Sequence, residues 1–426
     1  MPEPGKAKPA GKIEAVRGTV DLLPAESARW FEAEKIARDL FSRYGLGEVR
    51  TPVFEHVELF RRPLGAGSDV VEKEMYEFTD KGGRKLALRP EGTACVARAF
   101  IEHGLYAKGG PMRYFYIGPI FRYDRPQAGR YRQHHQIGVE VFGNPAPSQD
   151  AELIELGAEM LAALKVPGFD LKINSNGCPK CRPGYDQKLR EHLVPIKGML
   201  CEDCAGFRLE RNILRVLDCK VGECRRATAE APDIRDSLCD ECARHFGEVA
   251  AHLKSAGINA VREPRLVRGF DYYTRTTFEF IGRRVEGRTT LLGGGRYDGL
   301  VDLLGGPDTP AVGWGMGIER VMEESLLVAV ESVPAVFVVC ASDQAFGPAM
   351  KVCRKLRNGG FACEMAAEGK SFRSQLRAAN ASKAPWALLA GLDEAPLVLK
   401  DLRSGAQEPV EESDIERRIS RPPEVS

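Results

Sequence analysis

The stretch FRYDRPQAGRYRQHHQ, residues 121–136, concentrates basic side chains in an otherwise balanced protein. The chain of 426 residues carries 61 lysines and arginines against 60 acidic residues, and this balance argues against a general polyanion-binding surface. Within the stretch, only Asp124 opposes four arginines, which are Arg122, Arg125, Arg130 and Arg132. Arginine side chains bind phosphate oxygens in two-point contacts. The stretch therefore predicts a local polyphosphate site, with a solvated basic hairpin as the alternative.

Two predicted strands, residues 112–122 and 134–142, flank this segment, and Pro126 and Gly129 predict a loop between them. In the second strand, HHQIGVEVF, side chains alternate between two faces. One face carries Ile137, Val139 and Val141, and the other carries Gln136, Gly138 and Glu140. A buried face with an amide and a carboxylate is unfavourable unless a polar ligand meets it. We therefore expect a binding site on this face, and an ordinary solvated face is the alternative.

A second segment, AVGWGMGIER (311–320), places Gly313, Gly315 and Gly317 at every second position. A strand with one glycine face lets a flat group lie against its backbone. A helix is predicted from about Gly317, and it brings Arg320 close to the strand end as a second phosphate ligand. The chain has neither a P-loop nor a dinucleotide fingerprint, because GGGRYDG does not fit G-x-G-x-x-G.

The remaining patterns predict several domains. Residues 25–44 have apolar side chains at helical spacing, and Gly45 follows as a C-terminal cap. EVRTPVFE (48–55) is an extended run in which Pro52 suits a strand edge or an interface. From Val333 onward, strand and helix patterns alternate as in a compact α/β domain of about 90 residues.

The sequence also bears on location. The first residues, MPEPGKAKPAGK (1–12), lack the apolar segment of a secretory signal, and they predict a disordered tail. No apolar run approaches membrane-spanning length. These features predict a cytoplasmic protein without a membrane partner.

Eight of the twelve cysteines lie within one block of the sequence. They form four close pairs, which are Cys178 and Cys181, Cys201 and Cys204, Cys219 and Cys224, and Cys239 and Cys242. Without an export signal, such a cluster favours metal over disulfides. Structural zinc usually has four ligands in a tetrahedron, so the block predicts one or two structural zinc ions. Reduced, unligated cysteines are the alternative, and His192 and His245 are potential substitute ligands.

Together the motifs resemble those of the histidyl-tRNA synthetase family, a group of class II aminoacyl-tRNA synthetases, over nearly the whole chain. EVRTPVFE resembles the first class II motif, FRYDRPQAGRYRQHHQIGVEVFG the second and VGWGMGIER the third. LRPEGT (88–93) and LVRGFDYYTRTTFEF (266–280) resemble the two segments specific to the histidine enzymes. The class II motifs alone are loose, whereas RGFDYY together with GRYRQHHQ is highly specific.

The resemblance implies ATP and L-histidine as substrates, with Mg²⁺ on the outer phosphates. The implied ATP-binding residues are Arg122, Asp124, Arg130, His134 and Arg320. The implied histidine-binding residues are Glu91, Thr93, Gln136, Glu140, Arg268, Tyr272 and Tyr273. Arg122 and Arg268 would act in catalysis at the α-phosphate. Two departures, His134 for the usual phenylalanine and Asp124 for the usual glutamate, put the affinity for ATP in question.

The resemblance also implies an α/β multidomain fold whose class II catalytic core is an antiparallel sheet flanked by helices. This core is expected in residues 13–173 and 263–331, a cysteine-rich inserted domain in 174–262, and an α/β anticodon-binding domain in 332–426. The implied reaction forms histidyl-adenylate and pyrophosphate, and then transfers histidine to the 3′-terminal ribose of tRNA(His). The implied partners are tRNA(His) and a second copy of the chain, which would make a homodimer.

Two other functions compete with this interpretation. The regulatory subunit of ATP phosphoribosyltransferase shares the catalytic fold, but it resembles a synthetase that has lost the second histidine-specific segment and the C-terminal domain. A zinc-dependent nucleic-acid-binding protein would explain the cysteines, but not RPEGT, the arginine-rich stretch or the glycine strand.

Overall fold

The computed structural model describes residues 13–64, 70–124, 129–284, 290–328, 333–393 and 396–419. The predicted tail, residues 1–12, and Arg125 lie outside this set. The chain divides into two compact units, with the boundary between Ala329 and Val330. Among the described residues, none of the helices combines the length and apolar character that a membrane crossing requires.

The first unit contains two β-sheets. Its described strands, in chain order, are β1 (Gly47–Glu48), β2 (Phe54–His56), β3 (Glu77–Thr79), β4 (Lys85–Leu88), β5 (Met112–Phe121), β6 (Gln133–Phe142), β7 (Phe169–Ser175), β8 (Ala260–Arg262), β9 (Thr274–Gly282), β10 (Thr290–Arg296) and β11 (Ala311–Gly317). The large sheet has the order β1-β5-β6-β11-β10-β9-β7-β8, and β2-β4-β3 form the small one. From β5 to β7 every pairing in the large sheet is antiparallel, whereas the outer strands β1 and β8 pair in parallel.

Helices flank the large sheet. Those of the first unit are α1 (Pro24–Arg43), α2 (Val57–Leu64), α3 (Thr93–Glu102), α4 (Pro147–Ala163), α5 (Arg182–Leu193), α6 (Leu209–Arg211), α7 (Gly222–Ala227), α8 (Asp240–Ser255), α9 (Leu300–Leu303) and α10 (Ile318–Glu324). The predicted first helix is confirmed as α1, and Gly45 follows it with a left-handed φ of 67°, a conformation that glycine adopts without strain. The expected antiparallel sheet flanked by helices is therefore present.

The predicted alternation along β6 is confirmed. Ile137, Val139 and Val141 are fully buried in the main core, together with Trp314 from β11 and Phe278 from β9. Burying such side chains contributes about 1.5–3 kcal/mol each. Because the apolar face is fixed against this core, Gln136 and Glu140 must face the other side of the sheet.

The first class II motif is not one continuous strand. The extended run divides into β1 and β2, and the exposed Pro52 lies between them. Proline supplies no N–H for a sheet hydrogen bond, so a break at this position is expected.

The cysteine-rich block lies between β7 and β8. It has a small core of its own, which includes Tyr185, Leu189 and Leu214 and which also contacts Val267. Helix α8, at the end of the block, packs instead on the main core through Val249 and neighbouring residues. The bounds 174–262 of an inserted domain stay a prediction.

The second unit is a smaller α/β fold. Its elements are β12 (Val336–Cys340), α11 (Phe346–Asn358), β13 (Cys363–Met365), α12 (Phe372–Ala381), β14 (Trp386–Ala390), β15 (Leu397–Asp401), β16 (Gln407–Pro409) and α13 (Ile415–Ile419). The strand order is β13-β12-β14-β15-β16. The predicted alternation of strands and helices is confirmed, and β16 and α13 are additional elements. Helices α11 and α12 cover opposite faces of the sheet, since they contribute to separate hydrophobic clusters.

Candidate active site and cysteine clusters

A cavity of about 750 Å³ lies on the polar face of the large sheet. Its lining includes seven of the residues that sequence analysis selected: Arg122, Asp124, Arg130, His134, Gln136, Arg268 and Arg320. The cysteine-rich block supplies another part of the wall, including Cys201, Asp203, Arg208, Arg215, Asp218, Cys219 and Lys220. The remaining selected residues, Glu91, Thr93, Glu140, Tyr272 and Tyr273, do not line this cavity. All of these except the half-buried Thr93 are buried in the adjoining interior.

Three guanidinium groups gather at one end of the cavity, which we call the phosphate end (Arg122, Arg130 and Arg320). Arg122 Nε donates to the Pro90 carbonyl oxygen at 2.8 Å, and Arg320 Nε donates to the Gly129 carbonyl oxygen at 2.8 Å. Burial, followed by the charges of Arg130 and Arg122, lowers the pKa of Arg320. Like charges this close favour an anion between them.

Asp124 and His134 occupy the same end. The Arg130 Nη1 atom donates to Asp124 Oδ2 at 3.0 Å, so the shorter acidic side chain orients one of the arginines. Burial, together with the charges of Arg122 and Arg320, lowers the pKa of His134 to about 3. Its imidazole is therefore neutral at physiological pH, and a neutral ring can stack on a nucleobase.

Arg268 lies between the phosphate end and the buried interior. Its Nη1 atom donates to Glu279 Oε1 at 2.5 Å, and its guanidinium lies 5.6 Å from the centre of the Tyr273 ring. Burial alone would lower the pKa of Arg268, but Tyr273 and Glu279 raise it above its usual value. Gly293 on β10 leaves room for the Arg268 guanidinium, because a Cβ atom at residue 293 would lie only 2.4 Å from Arg268 Nη1. Arg268 is thus a permanently charged group.

Glu91 has a structural contact that the sequence did not predict. Its two carboxylate oxygens accept hydrogen bonds from the backbone N–H groups of Thr93, at 2.7 Å, and Ala94, at 2.8 Å. These donors belong to the first turn of α3, so Glu91 caps this helix. Burial nevertheless raises its pKa, against the lowering effect of these N–H groups.

Glu140 is completely buried on β6 and bound by two hydroxyl groups. Thr93 Oγ1 donates to Glu140 Oε1 at 2.7 Å, and the Tyr297 hydroxyl donates to Oε2. Burial raises the pKa of Glu140 to about 8, although both hydrogen bonds act to lower it. The structure thus joins Glu140 to Thr93 as partners and adds Tyr297, which sequence analysis missed.

The glycine strand β11 faces protein side chains. A Cβ atom at Gly313 would lie 2.1 Å from Glu140 Oε2, and one at Gly315 would lie 2.4 Å from Gln136 Nε2. The flat groups expected on this strand are therefore the carboxylate and the amide of β6. Tyr116, also missed, donates its hydroxyl to Gln136 Oε1 at 2.8 Å.

A group of tyrosines closes the buried side of the site. The rings of Tyr272 and Tyr273 lie 4.9 Å apart, and Tyr297 contacts both. Within the sequence, Tyr297 follows the glycine-rich strand β10. That position was the only signal for it.

The eight clustered cysteines form two groups of four, within each of which the sulfur atoms lie within 4.8 Å of one another. We call them the base tetrad (Cys178, Cys181, Cys239 and Cys242) and the wall tetrad (Cys201, Cys204, Cys219 and Cys224). Neither His192 nor His245 belongs to either group. His245 instead bonds Asp150 through Nε2 at 2.8 Å. Each tetrad offers the four soft ligands that zinc prefers, so the cysteines could hold a metal.

Comparison with known proteins identifies the family. The histidyl-tRNA synthetase family model matches residues 18–178 and 211–321, and a model of an anticodon binding domain matches residues 335–421. The chain belongs to the histidyl-tRNA synthetase family. The first match includes every residue that sequence analysis selected for ATP and histidine, whereas residues 179–210, with three of the clustered cysteines, lie outside it.

The chain is also similar to individual members of the histidyl-tRNA synthetase family. A histidine–tRNA ligase of Anaeromyxobacter dehalogenans is 47% identical over 415 residues, which cover 96% of this chain and 100% of the relative. One from Caldanaerobacter subterraneus is 44% identical and covers 95% of this chain and 99% of the relative. The crystal structure of apo S. aureus histidyl-tRNA synthetase is 33% identical, with a TM-score of 0.80 over 96% of this chain and 100% of that one.

Proposed function

We propose that the cavity performs the two steps of the histidine–tRNA ligase reaction of this family. Class II synthetases of this kind are ligases that use ATP and Mg²⁺. The proposal rests on the arrangement of charge in the site, where arginines and carboxylates lie at opposite ends. Three arginines form the phosphate end, Arg268 follows, and the buried carboxylates of Glu91 and Glu140 lie beyond. A polyphosphate and a cationic amino acid match these two ends by charge.

In the first step, the histidine carboxylate attacks the α-phosphorus of ATP, and pyrophosphate leaves. Both reactants are anions, so the charge that develops needs fixed cations. We assign Arg122 and Arg268 to the α-phosphate, and Arg130 and Arg320 to the outer phosphates. His134 would stack on the adenine, and Asp124 would orient Arg130. Mg²⁺ would arrive with ATP and neutralise charge on the outer phosphates.

Histidine selection would depend on the buried end. We assign the imidazole to Glu140 and Tyr273, with Tyr272 lining the same pocket, and the α-amino and carboxylate end to Glu91, Thr93 and Gln136. A side chain that cannot bond the Glu140 carboxylate leaves a buried polar group without its partner, which costs about 1–3 kcal/mol. Tyr297 and Thr93 would hold that carboxylate in place for the imidazole.

In the second step, the 3′-hydroxyl of the terminal ribose of tRNA(His) attacks the histidyl carbonyl of the adenylate, and AMP leaves. We assign the catalytic core to residues 13–173 and 263–331, the inserted domain to 174–262, and anticodon binding to 332–426. The family match over 335–421 supports the last assignment. We place the reaction in the cytoplasm.

We further propose structural zinc for the cysteine tetrads. A tetrahedron of thiolates at a zinc–sulfur distance of about 2.3 Å separates the sulfur atoms by about 3.8 Å. The distances between Cys178 and Cys181 (3.6 Å) and between Cys201 and Cys219 (3.8 Å) agree with this spacing. Such zinc would not contact ATP or histidine, and it would stabilise a block with a small core.

A homodimer paired through the first motif is also proposed. Near Pro52, the side chains of Phe54 and Phe78 are 50% and 42% exposed, and their rings lie 6.3 Å apart. An exposed aromatic pair of this kind favours an interface. Light scattering at micromolar concentration should give the mass of two chains, and Phe54→Glu with Phe78→Glu should give one. A wild-type monomer would contradict the dimer.

Charging of tRNA(His) with labelled histidine tests the function as a whole. The expected product is histidyl-tRNA, formed only when ATP is present. Histidine-dependent ATP–pyrophosphate exchange separates the rivals, because neither a regulatory subunit nor a zinc-dependent nucleic-acid-binding protein would support it.

A further inference from the structure

The wall tetrad adjoins the catalytic cavity, whereas the base tetrad does not. Cys201 and Cys219 line the cavity themselves. The chain between and beside them contributes Asp203, Arg215 and Lys220 to the same wall. No member of the base tetrad is part of this lining. The conformation of the segment between Cys201 and Cys224 therefore determines the shape of one side of the cavity.

The geometry of the wall tetrad suits a metal better than a disulfide. The sulfur atoms of Cys201 and Cys219 lie 3.8 Å apart, nearly twice the length of about 2.05 Å for a disulfide bond. The backbone N–H of Cys201 donates to the Cys224 sulfur at 2.9 Å, and Arg208 Nη1 lies 3.8 Å from the Cys204 sulfur. Donors directed at sulfur stabilise thiolates that bind a metal. No described cysteine forms a disulfide.

The same segment touches the Arg268 loop, residues 263–273 between β8 and β9, at two residues that follow Arg268. Asn212 Nδ2 donates to Asp271 Oδ1 at 2.5 Å. The Arg215 guanidinium packs so closely on Gly269 that a Cβ atom there would lie 2.8 Å from Arg215 Nη1. Asn212 and Arg215 both lie between Cys204 and Cys219, so the wall tetrad closes the loop that holds them.

A third contact lies before Arg268. Arg265 Nη2 donates to the Leu217 carbonyl oxygen at 3.0 Å, and Arg265 Nη1 donates to the Thr228 carbonyl oxygen at 2.7 Å. Val267 packs into the small core of the block, where Cys204, Cys219 and Cys224 are also buried. The cysteine-rich block therefore contacts the Arg268 loop at several points. The wall tetrad lies in the segment of the block that makes these contacts.

We propose that the wall tetrad binds a zinc ion that fixes the outer wall of the cavity and positions the Arg268 loop through Asn212 and Arg215. The inference rests on the proposed function, because it concerns adenylate formation at this cavity. This role differs from the role of the base tetrad. That tetrad joins Cys178, directly after β7, to Cys239 and Cys242 at the start of α8, and so closes the block where the chain enters and leaves it.

Two matched double variants test the proposal in the full-length protein, purified without chelator. Cys201→Ser with Cys204→Ser removes half of the wall tetrad, and Cys178→Ser with Cys181→Ser removes half of the base tetrad. Zinc content, thermal unfolding, and the kinetic parameters of exchange for ATP and for histidine are measured on each. Wild-type protein should contain about two zinc ions per chain, and each variant about one.

The wall variant should lose about tenfold or more in kcat/KM for ATP, the effect of displacing a preorganised charge donor. Its KM for histidine should rise less than its kcat/KM for ATP falls, because Gln136 and Glu140 lie on β6 and Thr93 on α3, outside the Arg268 loop. The base variant should lose thermal stability but keep kcat/KM for ATP within a few fold. A merely structural wall tetrad would give equal effects on both substrates.

Asn212→Ala keeps all eight cysteines and covers the case in which the wall variant does not fold. It should retain zinc and show a loss in kcat/KM for ATP that is smaller than the loss in the wall variant. A wall variant or Asn212→Ala with wild-type ATP kinetics would overturn the proposal, and so would a wild-type protein without zinc at the wall tetrad. Absence of histidine-dependent exchange in wild-type protein would instead refute the proposed function and leave the zinc count unaffected.

Discussion

The two ends of the cavity differ in how their charges are held. At the phosphate end, Arg122, Arg130 and Arg320 are half-buried, and they donate hydrogen bonds to carbonyl groups (Arg122 and Arg320) or to one carboxylate (Arg130). At the other end, which we call the histidine end, Glu91 and Glu140 are buried, and both oxygens of each carboxylate accept hydrogen bonds.

This difference matches the two tasks that we propose for the cavity. Binding a polyphosphate needs cations that can rearrange around several oxygens, and repulsion among arginines favours the bound anion. Choosing one amino acid needs groups that cannot adapt, because selectivity comes from the cost of leaving a buried group without its partner. Changes at the phosphate end should therefore affect rate, and changes at the histidine end should affect selection and pH dependence.

The largest effect is expected where the two ends meet. Arg268→Ala should lower the rate of adenylate formation by about a hundredfold or more, the scale for removing one preorganised donor. Pre-steady-state adenylate formation would measure it. Arg283→Ala is the matched control, since Arg283 also pairs with an acid, Asp170, but at an exposed position, and it should leave the rate unchanged. A folded Arg268→Ala protein with a near-normal rate would remove Arg268 from the mechanism.

The next effect concerns the histidine end. Glu140→Gln keeps the shape of the side chain but cannot ionise to the carboxylate that we assign to the bound imidazole, and hydrogen bonds to charged groups contribute about 1.5–3 kcal/mol. We expect kcat/KM for histidine to fall by about ten- to a hundredfold, with KM for ATP little changed. Glu102→Gln, an exposed change on α3, serves as the control. An equal rise in both KM values would show that the two ends are not separate.

Glu140 should also make stability depend on pH. Its pKa is about 8 in the folded protein against an ordinary value of 4.5, so between these values the folded state holds a proton that the unfolded chain has lost. Its contribution to the free energy of unfolding should fall by about 1.4 kcal/mol per pH unit from about pH 5 to 8. Thermal melts of wild type and Glu140→Gln across this range would measure the difference. Parallel pH profiles would contradict the assignment.

The smallest effect on activation is expected from the second unit. A chain truncated before Val333 keeps both ends of the cavity, so exchange should fall by less than about tenfold, whereas charging of tRNA should be lost because phosphate contacts of the anticodon region are removed. Parallel exchange and charging assays on the same preparation would measure both. Equal loss of the two activities would contradict this division.

Parts of the site could be predicted because their signals are local. The alternation along β6 placed Gln136 and Glu140 on one face, and the arginine-rich stretch indicated the phosphate end. Cysteine spacing identified the members of the two tetrads, but it left open which pairs combine. The combination depends on the path of the block, which brings Cys178 to Cys242 across more than sixty residues.

Other parts depend on packing between distant segments. Tyr116 fills space that Gly92 and Gly138 leave open, and no spacing rule relates these three residues. Tyr297 reaches Glu140 across neighbouring strands, and the capping role of Glu91 appears only once α3 begins at Thr93. Contacts of this kind follow from strand order and helix position, which motif patterns do not specify.

The most direct measurement is ATP–pyrophosphate exchange by the wild-type protein with each of the standard amino acids in turn. We expect rapid exchange with histidine and rates at least about a hundredfold lower with every other amino acid, the scale of discrimination that a hydrogen-bonded buried pocket provides. Exchange that is independent of histidine, or equally fast with another amino acid, would contradict it.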